Sequence, residues 1–172
     1  MKITLICLGS LVVLVAVVWI AGSMLPKGHV ATRTIRLRQP PEAVWSAIAD
    51  FPAMTAWRAG LASTERLPDR NGKQVWREVS KDGSTIPFET TAAEPPKRLV
   101  RTIADPSMPF GGSWTYEIQP DGEGARLTIT ENGEVYNAVF RLFSKFMDQQ
   151  KTITDFETAL ARKFGEDPRW EN

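Results

Sequence analysis

SWTYEIQPDGEGARLTITENGEV, residues 113–135, decides the fold class. Trp114, Tyr116 and Ile118 share one side of an alternating run, and Leu127 and Ile129 share one side of the next. Between the runs, Asp121-Gly122-Glu123-Gly124 is turn chemistry, because Asp bonds its own backbone and Gly accepts dihedrals closed to other residues. Two alternating runs with so short a link pair antiparallel.

Working outward, the same alternation recurs over Thr32–Arg38, Leu61–Leu67, Gln74–Val79, Thr85–Ala93 and Leu99–Ala104. With Ser113–Gln119 and Ala125–Val135 this makes seven strands. Turn residues separate them, among them Asp69-Arg70-Asn71-Gly72 and Lys81-Asp82-Gly83. After the first strand, Pro41 suits the first turn of a helix, and Val44, Trp45 and Ile48 give that helix one apolar face. Phe51, Met54 and Trp57 suggest a second short helix or a tight loop. After the last strand, Val139, Phe143, Phe146, Ile153, Leu160 and Phe164 follow helical spacing over about Asn137–Phe164, with Gly165 as the stop. The plan is α+β: a seven-stranded curved antiparallel sheet wrapped around one long C-terminal helix.

Composition narrows the function. Of 172 residues, 42% are hydrophobic and 24% charged, which describes an ordinary globular chain. A net charge of +1 provides no field for a polyanion, so no nucleic-acid partner is expected. Cys7, the sole cysteine, lies in the N-terminal apolar run, and His29, the sole histidine, has no second histidine with which to build a metal site or a Ser-His-Asp relay. No metal or cofactor is expected.

From Ile3 to Leu25 there is no charged residue, and at about 1.5 Å per residue such a run spans the roughly 30 Å core of a bilayer. Residues 1–28 therefore read as a single transmembrane anchor and linker, ahead of one domain over residues 29–172. A cleaved secretory signal is the rival, since Lys2 supplies a basic start and Ala21-Gly22-Ser23 small residues at cleavage spacing. Lys2 and Lys27, Arg33, Arg36 and Arg38 flank opposite ends of the run, so charge does not decide the orientation. The very short leading tail tilts the expectation towards a domain outside the cytoplasm.

Several stretches together resemble the START-like helix-grip superfamily, also called SRPBCC or the polyketide cyclase/dehydrase and lipid transport superfamily. They are Pro41-Glu42-Ala43-Val44-Trp45 with Asp50-Phe51 and Trp57, then Glu94-Pro95-Pro96-Lys97-Arg98-Leu99-Val100, Gly112-Ser113-Trp114-Thr115-Tyr116 and Thr128-Ile129-Thr130-Glu131. Glu131 to Phe146 is similar to a membrane-anchored bacterial subgroup. The resemblance implies a mostly apolar cavity between the concave face of the sheet and the long helix, used for lipids, sterols, polyketides or other hydrophobic ligands. It does not imply one activity.

Candidate cavity residues follow. Trp57 would cover a ligand or clamp its own loop, and Trp114 and Tyr116 share the inward strand face, as core packing or as cavity lining. Phe143, Phe146 and Met147 lie where the family's helix roofs the cavity, or else pack as ordinary core, and Gln150, one turn on, would bond a ligand carbonyl or point to solvent. Alternation places the Glu131 carboxylate inward with Leu127 and Ile129, which makes it the candidate acid or base. A bulge at Asn132-Gly133, or an ion pair with Arg77 or Arg101, would make it structural instead. The expected function is a membrane-tethered carrier or binding domain for a hydrophobic small molecule or lipid. The alternatives are a polyketide cyclase or dehydratase acting through Glu131, and an interaction module whose pocket its own side chains fill.

Overall fold

The computed structural model describes residues 2–171, with side chains from Ser10 onward apart from Leu11. Lys2–Ser23 forms α1, followed by β1 (Gly28–Leu37), α2 (Pro41–Ala49) and a 3-10 turn (Pro52–Ala56). Six strands come next: β2 (Leu61–Arg70), β3 (Lys73–Ser80), β4 (Thr85–Glu94), β5 (Arg98–Ile103), β6 (Phe110–Asp121) and β7 (Gly124–Val135). The chain ends with α3 (Ala138–Ser144), α4 (Lys151–Lys163) and the two-residue β8 (Arg169–Trp170).

One antiparallel sheet of order β2-β3-β4-β5-β6-β7-β1-β8 holds eight strands, one more than the alternation predicts. The addition, β8, is too short to show a period. Trp170 pairs with Ile35 on β1 and sends its indole N–H to Glu157 on α4, 3.0 Å away, so the chain end closes the sheet edge over the helix. At the β2–β3 hairpin, Asn71 and Gly72 both take positive φ, 50° and 76°, as a two-residue loop matching the twist of its strands requires.

The predicted single C-terminal helix is two helices. Asn137 caps α3 by accepting from the Phe140 N–H at 3.0 Å. The Asp148 side chain then accepts from the Gln150 N–H at 2.9 Å, a local bond that competes with helix continuation, and residues 145–150 turn before α4 begins. Helical phase is lost across this break. Only α4 keeps the expected face: Ile153, Phe156, Glu157, Leu160 and Ala161 are buried against the sheet. Below it, Val44 and Ile48 of α2 join Ile35, Leu127 and Ile129 in a solid core.

The start of the chain is fastened to α3. A Cβ on Gly22 would lie 1.9 Å from the Ala138 carbonyl oxygen, so the two backbones meet where only glycine fits. Buried Arg141 donates to the carbonyls of Leu25 (2.8 Å) and Tyr136 (3.2 Å), holding the exit of α1. Among the described residues no helix is long and apolar enough to cross a membrane, and the described side chains of α1 are only Ser10 and Val12–Ser23.

Candidate functional site

A cavity of about 230 Å³ lies between the concave sheet and the first half of α4. Ile86 and Phe88 of β4, Trp114 and Tyr116 of β6, and Ile129 of β7 wall it, with Ile153 and Phe156 above. Strand alternation aims all five sheet side chains to one side. The aromatic walls support one another: Phe88 meets Trp114 edge-on at 5.4 Å, and Tyr116 meets Phe156 at 5.4 Å.

One wall of this apolar space is ionic. Arg58, Glu78 and Arg101 line it, and Glu78 takes both arginines: Arg58 on Oε2 at 2.7 Å and Arg101 on Oε1. Burial alone would raise the pKa of Glu78, but the two guanidiniums outweigh it and hold the carboxyl below the usual range. Arg101 is 3% exposed and is held between the rings of Phe51 and Phe88, 4.3 and 4.5 Å from its guanidinium carbon. Its Nη1 serves Glu78, while Nε and Nη2, both buried, have no hydrogen-bond partner among the described residues.

The sequence candidates divide into three groups. Trp114 and Tyr116 line the cavity. Burial raises the pKa of the Tyr116 phenol, so it stays protonated. Trp57 stands one layer behind, edge-on to Phe156 at 5.4 Å. Glu131 points to the concave side but sits beyond Trp114, whose indole N–H it accepts at 3.0 Å. No bulge interrupts β7 at Asn132-Gly133, and the proposed ion pairs are taken elsewhere, Arg77 with Glu65 and Arg101 with Glu78. Its partner is His29 of β1, with Nε2 3.4 Å away over Gly133, where any Cβ would strike the imidazole at 2.1 Å. Burial raises the pKa of Glu131, against the opposing pull of Trp114 and His29.

The third group is a correction. Phe143, Phe146 and Met147 do not roof the cavity: they are 57%, 85% and 61% exposed. The side of α3 turned to the protein carries Ala138 and Arg141, so the aromatic side faces out, and the break before α4 leaves Phe146 and Met147 outside as well. Gln150 is also outside, accepting from Arg33 Nη1 at 3.5 Å and donating to the Thr32 carbonyl at 3.4 Å, which ties the start of α4 to β1.

Sequence reading missed Arg58 and Glu78, and it placed Arg101 only as an ion-pair partner for Glu131. Their signal was present. Arg101 stands between Leu99 and Ile103 on the face of β5 that alternation turns inward, and Glu78 follows Trp76 at the same spacing on β3. A wider depression, about 860 Å³, opens near His29, Gly111–Ser113 and Asn132–Glu134. It is more open to solvent than the first cavity, and glycine backbone and polar groups supply much of its wall.

Residues 28–164 match the model of the polyketide cyclase/dehydrase and lipid transport family. The chain belongs to this family. A comparison with curated proteins returns no match. Among solved structures, a Mesorhizobium loti protein is similar at 18% identity over 80% of this chain and 97% of its own, with a TM-score of 0.61. The Zhui aromatase/cyclase of a Streptomyces species aligns at 15% identity over 78% of this chain and 93% of its own, TM-score 0.60. A START superfamily protein from Mycobacterium smegmatis gives 18% identity, 78% and 96% coverage and a TM-score of 0.60. At such identities these likenesses establish the α+β helix-grip fold.

Proposed function

We propose that this family member binds or carries a hydrophobic small molecule or lipid in the cavity between the sheet and α4. The observation that carries this reading is the partly open cavity walled by Phe88, Trp114, Tyr116, Ile129, Ile153 and Phe156. A pocket filled by the protein's own side chains would leave no such space. At about 230 Å³ it lies just under the roughly 300–1,000 Å³ of common ligand sites, which favours a compact ligand or one segment of a longer one.

We extend the reading to a membrane tether, with the uncharged run Ile3–Leu25 crossing the bilayer and the domain on its outer side, as in the membrane-anchored subgroup that the sequence resembles. Two observations support it. The side chains of Val12–Val15, Val17, Trp19 and Ile20 are each more than half exposed, and the exit of α1 is fixed to α3, whose Phe140 and Phe143 are exposed beside it. Apolar surface of this kind belongs in lipid.

A cyclase or dehydratase is the second reading, and one observation favours it: Glu131 and His29 form a half-buried acid–base pair one residue beyond the cavity. Trp114 stands between that pair and the cavity, which is why binding comes first. The test is to extract membranes of cells expressing the full chain with alkaline carbonate, and then to extract the retained protein with organic solvent. We expect retention in the pellet and one unaltered hydrophobic molecule per chain. Release by carbonate would remove the tether, and a chemically altered molecule would favour the enzyme.

A further inference from the structure

We infer that the ligand is a monoanionic amphiphile, a carboxylate on a compact apolar body, held by the free edge of Arg101. The inference deepens the binding reading and rests on it. Three features of the cavity lead to it.

The first is unsatisfied donors. A guanidinium has five N–H groups in a fixed plane, and Nε–H and Nη2–H leave along the same edge, spaced to meet the two oxygens of a carboxylate. In Arg101 that edge is buried and unpartnered, while the opposite side is spent on Glu78. Buried polar groups without partners are rare in folded proteins, and these two belong to a residue of the cavity wall. The second is surroundings. The rings of Phe51 and Phe88 lie 4.3 and 4.5 Å from the central carbon of the guanidinium, so the group sits among aromatic walls that offer it no acceptor. The third is charge. Two guanidiniums share one carboxylate, and no other ionised group lines the space, so the wall carries one uncompensated positive charge. A single negative charge matches it. A phosphate dianion would overshoot the charge.

From the Arg101 edge the rest of the ligand runs along Phe88, Trp114 and Phe156, and the other guanidinium of the wall, Arg58, is already paired with Glu78. This picture predicts a short-chain or arylalkanoic acid, bound head-inward.

The experiment uses the full chain in lipid nanodiscs at neutral pH, with 4-phenylbutyrate and its uncharged amide as probes, titrated by calorimetry against empty nanodiscs. We expect the acid to bind at least about tenfold more tightly than the amide, because only the carboxylate fills both donors of the fork. Since the contrast is made within the unaltered chain, it does not depend on a variant folding. Equal affinities would overturn the carboxylate inference and leave the binding reading standing. Binding of neither probe would overturn the inference along with the compact-ligand reading of the cavity. In Arg101→Lys, which keeps the charge and loses the fork, the preference for the acid should fall to within about threefold. A variant that retains the full preference would place the carboxylate away from Arg101 and overturn the assignment.

Discussion

Two helices follow one another at the end of the chain, and their apolar faces have opposite fates. In α4 the apolar side chains face the sheet, and Leu160 and Ile153 are 0% and 1% exposed. In and just after α3 they face away, with Phe143 at 57% and Phe146 at 85%. Composition alone suggests the reverse, since five of the seven residues of α3 are apolar against five of the thirteen of α4. What separates them is which side meets the protein: α4 lies across a concave apolar surface, whereas α3 is pinned at Ala138 and Arg141 to the exit of α1. An aromatic stripe therefore reports that a helix has an apolar face, and its anchor points decide what that face meets.

The largest expected effect is in α4. Leu160 is fully buried in the solid core below the cavity, so Leu160→Ala should cost about 2–5 kcal/mol, read as a lowered denaturant midpoint at unchanged slope. A loss under about 1 kcal/mol would mean that the sheet does not close on this helix as described.

Glu157 sharpens the contrast because it is the charge on the buried face of α4. Burial raises its pKa from 4.5 to about 7, against the Trp170 hydrogen bond and the Arg33 charge that favour ionisation. A carboxyl with a raised folded pKa binds its proton more tightly in the folded state than in the unfolded chain. Its contribution is therefore fully present below about pH 4.5, falls as pH rises towards 7, and is gone above that. Glu157→Gln mimics the protonated form. It should flatten this part of the profile and raise stability in mildly alkaline buffer by up to about 3 kcal/mol, with little change near pH 4. Parallel melting curves of the two proteins across pH would show that the Glu157 carboxyl stays solvated.

Strand alternation made the sheet legible in the sequence: each predicted strand is present, and the true ends lie within a few residues of those the alternation marks. The break between α3 and α4 was harder, because Phe143, Phe146 and Ile153 keep nearly helical spacing through it and only Asp148 marks the interruption. The polar wall of the cavity was legible in principle. A charge among apolar residues on the inward face singles out Glu131, and the same criterion applied to Leu99-Arg101-Ile103 yields the guanidinium. What no local pattern contains is pairing across the sheet. Glu78 and Arg101 lie on strands separated by β4, and His29 reaches Glu131 only because β1 runs beside β7.

The smallest expected effect is at Phe146, and it tests the α3 side of the comparison. With 85% of its surface exposed, the ring gives up little when removed, so Phe146→Ala should change the unfolding free energy of the chain in micelles by no more than about 0.5 kcal/mol. A phenylalanine packed in a core would cost about 3–5 kcal/mol, a difference well beyond the error of a denaturant titration. If the larger loss is found, residues 145–150 must fold back so that Phe146 enters the cavity, and the two helices would behave as the single roof that the sequence suggests. The small loss leaves the ring free to meet lipid. In vesicles the same substitution should then weaken association of α3 with the bilayer, seen as greater collisional quenching by a water-soluble agent of a fluorophore attached at Phe143→Cys in a Cys7→Ser chain. Stability unchanged in micelles and exposure increased in vesicles together would separate a surface that belongs to the membrane from one that belongs to the core.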